Sequence, residues 1–391
     1  MARFSLTLRM LSPVHVGTGE ELTPESYVIR QEDGAAVLAA IDLPALLSSL
    51  TEADRNSFNL AADADDLVAI RRFVREQAAS GRFDLWTAGV DPDLEDRYQR
   101  GLDDVSAELA IHPMTRTGRP PQPYIPGSSL KGAIRTAVLQ RLVDQSGRAD
   151  DLHRQWPGRA KSDGPNLEAD ILGCLREDQS GRKRAEIRAD PFRAVRITDA
   201  PIRGAEGYCV TFVGRAVVTA RPRPSPSRGR GRPGADPAGI QLFYEATFSA
   251  LHDGEPIEAV GEMTFEDRLA QADASRARGW SFPHPVSRPL AAGEILEACN
   301  AFYLPRLETE AGDFGSVSQG LRAAYDVLRR EAEAAKRSGA ALLRLGRFSH
   351  VECMTLAPPL RSVRGGGASR TIITGPCPLG WAALRLEPVQ S

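Results

Sequence analysis

The chain has 391 residues, 42% of them hydrophobic, which is enough for more than one core and indicates two domains. Its 49 basic residues are balanced by 51 acidic ones, so no chain-wide positive field draws it onto nucleic acid, and any such binding must be local. Five scattered cysteines, a strand-like N-terminus instead of a signal peptide, and no apolar run of about 20 residues argue against secretion and membrane insertion. We expect a cytoplasmic protein.

The first third of the chain predicts a strand, a hairpin and two helices. Polar and apolar residues alternate from residue 3 to residue 10, which indicates a strand with one buried face. The segment HVGTG at 15–19 follows, and its glycines allow the backbone to approach another molecule closely. A strand pair is then predicted at 26–29 and 36–41, and helices are predicted at 65–79 and 94–111.

The most regular helical pattern begins after Gly127. Its apolar residues recur on one face, at Leu130, Ile134, Ala137, Val138 and Leu142. Ser128 and Ser129 are candidate N-caps, and Lys131 and Arg135 lie off the apolar stripe.

The start of this helix is a candidate anion site, because exposed backbone N–H groups and the positive end of the helix dipole coincide there. The dipole disfavours a cation in the first turns unless an anion lies nearby, and a nucleic-acid phosphate would supply one for Lys131 and Arg135. A second interpretation is that the glycines shape a turn and both cations are solvated. A Walker A loop is excluded because Ala133 follows Gly132 where that motif requires Lys.

The second half of the chain predicts mainly strands. A DPFRAVRITD segment at 190–199 precedes predicted strands at 208–219, 242–251 and 257–265, and a last strand is predicted at 381–386. Helices are predicted at 291–302 and 321–338, and glycine-bearing segments occur at 344–350 and 364–370. Without regular strand–helix alternation, the pattern favours an α+β fold with antiparallel sheets.

The segment at 221–239, RPRPSPSRGRGRPGADPAG, predicts a disordered loop because it has few apolar residues. Its arginines could contact RNA or an acidic partner nuclease with a salt-sensitive affinity. The alternative is an insertion that is simply tolerated at the surface.

Two motifs together resemble the RAMP (repeat-associated mysterious protein) superfamily of CRISPR effector subunits. They are LSPVHVGTGEE at 11–21 and YIPGSSLKGAIRT at 124–136. The 190–199 segment, the closing glycine-bearing segments and the length are most similar to the fifth Csm subunit of type III-A complexes.

The resemblance implies two RRM-like, ferredoxin-like units with antiparallel sheets and helical insertions, which we expect at 1–189 and 190–391. It implies a non-catalytic subunit without cofactors that caps the 3′ end of the CRISPR RNA in an antiviral complex. The expected partners are CRISPR RNA, the backbone and small subunits of the Csm complex and a host maturation nuclease.

The resemblance also nominates residues near the RNA. These are His15, Gly17, Gly19, Gly127, Ser128, Ser129, Lys131, Arg135, Arg193, Arg196, Gly346 and Arg347, with Gly365 to Gly367 in the last glycine-bearing segment.

Catalysis is the rival hypothesis. Family members that cut target RNA carry an aspartate near the position of Glu25 or Ser26, and no Asp precedes Asp33 here, so we expect no slicing. His15 could act as an acid–base group in a RAMP endoribonuclease that processes precursor RNA, although a histidine without a positioned partner is more often a packing residue. No histidine has zinc-ligand spacing, and another RAMP position in a related type III complex also stays open.

Overall fold

In the computed structural model of the protein, residues 2–158, 160–177, 179–205, 208–222, 242–252, 257–266, 286–360 and 367–389 are described. They form two eight-stranded β-sheets, a small hairpin and ten α-helices. The strands are β1 (Ala2–Met10), β2 (Tyr27–Glu32), β3 (Ala35–Ile41), β4 (Asp84–Val90), β5 (Ile111–His112), β6 (Arg116–Thr117), β7 (Gln122–Ile125), β8 (Leu175–Glu177), β9 (Lys183–Ala185), β10 (Val195–Ile197), β11 (Ala200–Arg203), β12 (Thr211–Ala220), β13 (Leu242–Thr247), β14 (Glu258–Phe265), β15 (Ala341–Arg344), β16 (Ser369–Ile373), β17 (Cys377–Pro378) and β18 (Trp381–Pro388).

The helices are α1 (Leu43–Ser49), α2 (Glu52–Asp63), α3 (Leu67–Gln77), α4 (Pro92–Gly101), α5 (Gly127–Ser146), α6 (Ala149–Gln155), α7 (Asp163–Ile171), α8 (Ala292–Phe314), α9 (Gln319–Arg337) and α10 (His350–Met354). Short 3₁₀ turns at Ile187–Ala189 and Pro191–Ala194 precede β10.

The first sheet is built around β1, which pairs antiparallel with β14 on one side and β18 on the other. The strand order is β15-β18-β1-β14-β11-β7-β6, and β10 also pairs with β14. Leu6, Leu8 and Met10 point to one face of β1 and are fully buried, as the alternating sequence predicts. Helices α5 and α8 pack together over this face and form the largest core with it.

The second sheet has the order β17-β16-β12-β4-β3-β2, with β13 and β5 attached through β12. It is antiparallel except for two short parallel contacts, between β12 and β4 and between β13 and β5. Helices α1, α3 and α4 cover parts of this sheet in two smaller cores.

The fold class is confirmed as α+β with mainly antiparallel sheets and helical insertions. The predicted boundary at 189/190 does not separate the sheets, because β1 pairs with two strands from the C-terminal half and β12 pairs with β4. Of the predicted loop at 221–239, residues 223–239 lie outside the described residues. Arg221 is described, and it forms an ion pair with Asp313.

Several elements differ in extent from the sequence prediction. The predicted helix at 94–111 ends at Gly101, because Asp104 accepts the backbone N–H of Ser106 in a turn and Ile111 enters β5. The predicted helix at 291–302 continues to Phe314 in α8, through Pro305.

Candidate functional site

Three segments that lie far apart in the sequence line one cleft of about 580 Å³. They are the loop at 15–20 after β1, the first turns of α5, and the segment at 344–349 after β15. His112 of β5 and Tyr244 of β13 complete the lining on the side of the second sheet. The two glycine motifs and the RLGRFSH segment are therefore neighbours in space.

His15 is buried in this lining, with 2% of its surface exposed. Its Nδ1–H donates to the backbone oxygen of Glu245, and 2.6 Å separates the two atoms. Burial lowers the pKa of His15 and outweighs this hydrogen bond, which raises it, so the neutral ring is favoured. Its Nε2 faces Gly17 so closely that a Cβ there would lie at 2.6 Å, so Gly17 is required by packing.

The face of α5 toward the cleft is made of small residues. They are Ser128, Ser129, Gly132, Ala133 and Thr136, which share one side of the helix because of their spacing. Ser128 and Gly132 are exposed, and a Cβ at Gly132 would meet no atom within 4 Å. An extended chain can therefore lie close to the helix here.

Neither serine caps α5 as the sequence predicted. The N-cap position is Pro126, and the backbone N–H of Gly127 donates to Oδ1 of Asp199 at 2.8 Å. A carboxylate thus already lies at the positive end of the helix dipole. Gly127 is needed for packing as well, because a Cβ would lie 2.3 Å from the backbone oxygen of Ile197.

The segment after β15 crosses the 15–19 loop at close range. The backbone N–H of Arg347 donates to the His15 oxygen at 3.0 Å. Gly346 has φ +82°, and a Cβ there would lie only 2.1 Å from the same oxygen, so both space and conformation require glycine. The Arg347 side chain is exposed, and in the described part of the chain its guanidinium contacts only the Tyr244 ring, with Cζ 5.8 Å from the ring centroid.

Tyr244 is the centre of an aromatic cluster in the lining. His112 stacks on it with ring centroids 4.5 Å apart and an interplanar angle of 21°. His15 and Phe348 meet it edge-on at 5.0 Å each. Burial lowers the pKa of His112, so this ring is also held in its neutral form.

Two buried carboxylates fix the elements that carry the cleft. Glu310 of α8, 1% exposed, accepts Nη1 of Arg344, Nε of Arg370 at 2.7 Å and the Tyr325 hydroxyl at 3.0 Å. Burial alone would raise the pKa of Glu310, but the two guanidinium groups lower it below its ordinary value. Nη2 of Arg344 has no hydrogen-bond partner among the described residues, and Arg344 lines the cleft.

The second carboxylate, Glu245, is fully buried and anchors the β13 side. It accepts hydrogen bonds from Arg116, from the Thr211 hydroxyl at 2.6 Å and from the Met114 backbone at 2.8 Å. Its backbone oxygen is the acceptor that orients His15. The charge of the Glu245 carboxylate is therefore compensated by groups of the protein itself.

Four of the nominated cations do not line the cleft. Lys131 donates to the Val195 oxygen at 2.7 Å, and Arg135 pairs with Glu168 at 2.8 Å and with Asp190. The conflict between these cations and the helix dipole is therefore resolved inside the protein, and the sequence argument for a phosphate beside them no longer holds. The other two also have protein partners, since Arg193 donates to the Arg188 oxygen and Arg196 pairs with Glu266.

Other nominated residues divide between the cleft and the undescribed part of the chain. Gly19 lies in the cleft with φ +87° and open space around it. Gly365 and Gly366 lie outside the described residues, whereas Gly367 is described and adopts φ +72°.

Sequence reasoning missed His112 and Tyr244, which lie in strands and which no local motif marks. Arg344 begins the glycine-bearing segment at 344–350, but it was not nominated as a site residue. A clustering of His, Cys, Asp and Glu suited to a metal ion does not occur within the described ranges. No described helix is long and apolar enough to cross a bilayer.

A protein-family model matches the part of the chain that contains two of the three segments lining the cleft. The family model of the RAMP superfamily matches residues 7–250, which is more than half of the chain. The chain belongs to the RAMP superfamily. The matched range contains the 15–19, 124–136 and 190–199 segments that carry the resemblance, while the 344–350 wall of the cleft lies beyond it.

Two individual relatives match the chain over a shorter stretch than the family model does. Proteins named "CRISPR system Cms protein Csm5" from two strains of Mycobacterium tuberculosis, CDC 1551 / Oshkosh and ATCC 25618 / H37Rv, are 26% identical over 217 residues. This stretch covers 51% of the chain and 54% of each relative, so the chain matches about half of their length.

Two solved structures share the fold. One, described as "Cryo-EM structure of Csm-crRNA-target RNA ternary complex in type III-A CRISPR-Cas system", has a TM-score of 0.61 at 19% identity and covers 98% of this chain and 100% of that one. The other, "Crystal structure of T.onnurineus Csm5", has a TM-score of 0.58 at 20% identity and covers 96% and 99%.

Proposed function

We propose that this protein is a non-catalytic subunit of a type III-A Csm effector complex that holds CRISPR RNA in the cleft between β1, α5 and β15. The observation that carries the proposal is the convergence of the predicted RNA-contacting segments on one cleft. Membership of the RAMP superfamily and the likeness to Csm5 proteins support the class of complex. A seat at the 3′ end of the RNA, contacts with backbone and small subunits, and recruitment of a maturation nuclease are parts of the same proposal.

The chemistry of the cleft suits a sugar-phosphate chain. The small-residue face of α5 offers the hydroxyls of Ser128, Ser129 and Thr136 and an exposed backbone at Gly132. Arg347 offers an exposed cation that no described acidic group neutralises. Contacts of this kind hold an RNA backbone without reading its bases. These contacts are confined to the cleft. A formal net charge of −2 gives the whole chain no attraction for RNA, so binding has to come from such local groups.

The exposed face of the first sheet suits RNA less well. RRM domains stack bases on aromatic side chains of their sheet, but the outer face of β1 carries Ser5 and Thr7. Their cross-strand neighbours are Glu262, Val260 and Arg385, with Glu387 opposite Ser5 on β18. The outward positions around β1, at the centre of the sheet, offer no aromatic ring, so we place the RNA in the cleft.

The geometry of His15 supports the non-catalytic assignment. Its Nδ1 is occupied by the Glu245 backbone oxygen, and only 2% of the residue's surface is exposed. A general acid or base must reach the proton that it transfers. The buried ring has the geometry of a packing residue that shapes the loop.

The replacement of Gly132 by aspartate tests the cleft directly. We expect at least about a tenfold loss of affinity for guide RNA, because a carboxylate would stand on the small-residue face where the phosphates pass. The side chain has room, since no atom lies within 4 Å of the new Cβ, and α5 should stay folded. Fluorescence anisotropy with labelled RNA at fixed salt measures the change.

Gly312→Asp is the matched control. Gly312 is also an exposed glycine within a long helix, with open space around its Cβ position, and it does not line the cleft. We expect its RNA affinity to equal that of the unmodified protein. Equal affinities for both variants would reject the cleft as the RNA site.

A further inference from the structure

Among the described residues, the contact between Arg347 and Tyr244 is the widest of the arginine–aromatic contacts. The others have distances from Cζ to the ring centroid between 3.4 Å, as for Arg116 on Trp86, and 5.2 Å, as for Arg82 on Phe83. Cζ of Arg347 lies 5.8 Å from the Tyr244 centroid, near the limit of about 6 Å for a cation–π contact. The guanidinium is therefore over the ring but not packed on it.

This spacing is close to the thickness that a planar ligand needs. A base stacked on both sides requires about 6.8 Å, twice the rise of about 3.4 Å per nucleotide in a stacked strand. The Arg347 guanidinium would therefore have to move away from the Tyr244 ring by at least about 1 Å. Arg347 can make this movement because its side chain is exposed and has no described ion pair or hydrogen bond.

The ring itself is held firmly. Tyr244 is 4% exposed, His112 stacks on it, and its strand β13 is paired with both β12 and β5. Both Tyr244 and Arg347 line the cleft, so a nucleotide lying there would reach the gap between them. Tyr244 is thus held in place, whereas the Arg347 side chain can move.

We infer that the cleft contains a nucleobase site, in which one unstacked base of a single-stranded RNA inserts between the Tyr244 ring and the Arg347 guanidinium. This rests on the proposed function and adds the class of group that the site takes. Stacking between an aromatic ring and an arginine plane is a common way to hold single-stranded RNA. Because every base has such a face, the site holds one nucleotide of the strand without selecting its sequence.

The test uses the full chain and a short oligouridylate RNA in which a fluorescent adenine analogue replaces one uracil at a time. We expect binding to quench the analogue at one or more positions of the strand, because uracils stack weakly on their neighbours and stacking on Tyr244 quenches the analogue. An abasic nucleotide at the same position should lower affinity by about tenfold, which lies within the known strength of base–aromatic stacking.

Arg347→Lys separates stacking from charge, because it keeps the cation and removes the plane. It should remove the quenching and the abasic penalty while retaining salt-dependent binding. Tyr244→Leu should do the same wherever it folds, and Arg337→Lys, at an exposed site of α9 outside the cleft, should change neither.

The outcomes are distinct. RNA binding without a quenched position, or a quench that survives in Arg347→Lys, would overturn the base site and leave the proposed function standing. Absence of any RNA binding by the folded protein would overturn both.

Discussion

Replacing Gly346 by alanine is expected to lower the free energy of unfolding by about 3 kcal/mol or more and to weaken RNA binding with it. The new Cβ would lie 2.1 Å from the His15 backbone oxygen, in a residue whose φ of +82° already disfavours a side chain. Relief requires the 344–349 segment to move away from the 15–19 loop, which opens the cleft between them. Denaturant unfolding and RNA titration measure the two effects.

Gly339→Ala provides the control for conformation alone. Gly339 has the same φ of +82°, but its Cβ would meet nothing within 4 Å. We expect a loss of only about 1–2 kcal/mol from the left-handed conformation, with unchanged RNA affinity. If both variants lost the same stability, the close crossing of the two segments would not be a determinant of the fold.

Removal of the Glu310 carboxylate is expected to be at least as costly. In Glu310→Ala, Arg344 becomes an uncompensated buried cation and Arg370 keeps only its ion pair with Glu352 at 3.5 Å, and breaking such a network costs about 3–5 kcal/mol. Because β15 ends at Arg344 and leads directly into Gly346 and Arg347, the cleft should lose its shape together with stability.

Glu308→Ala on the same helix is the matched control. Glu308 is 60% exposed and pairs with Arg329 at the surface, so its loss should cost no more than about 1 kcal/mol. Chemical denaturation of the two variants checks the difference, and equal losses would show that the buried network contributes no more than a surface pair. Since the pKa of Glu310 is lowered by its partners, its stabilising effect is present above the unfolded-state value and disappears as pH falls through the folded-state value.

Local patterns predicted those elements whose surroundings follow from their own residues. The alternation in β1 and the Asp33-Gly34 turn between β2 and β3 match the structure, and both turn residues have positive φ. The prediction at α8 stopped too early because Pro305 is locally a helix breaker. Burial of Leu307, Ala311 and Phe314 in the main core overrides this preference, which no local pattern shows.

The candidate site was predictable where it is built from contiguous motifs and hidden where it depends on partners distant in sequence. The HVGTG and GSSLKG segments indicated two sides of the cleft. The roles of Lys131 and Arg135 were not predictable, because Val195, Glu168 and Asp190 approach them from later in the chain. Tyr244 was missed for the same reason, since its neighbours His112 and Arg347 lie far from it in the sequence.

Guide RNA is proposed to lie in the cleft between β1, α5 and β15. Ultraviolet cross-linking of the protein with the RNA that co-purifies from its host, followed by mass spectrometry of the adducts, tests this most directly. We predict short CRISPR-derived RNA with adducts in peptides that contain 15–19, 128–136 and 344–350. Adducts confined to other surfaces, such as the outer face of the first sheet, would contradict it.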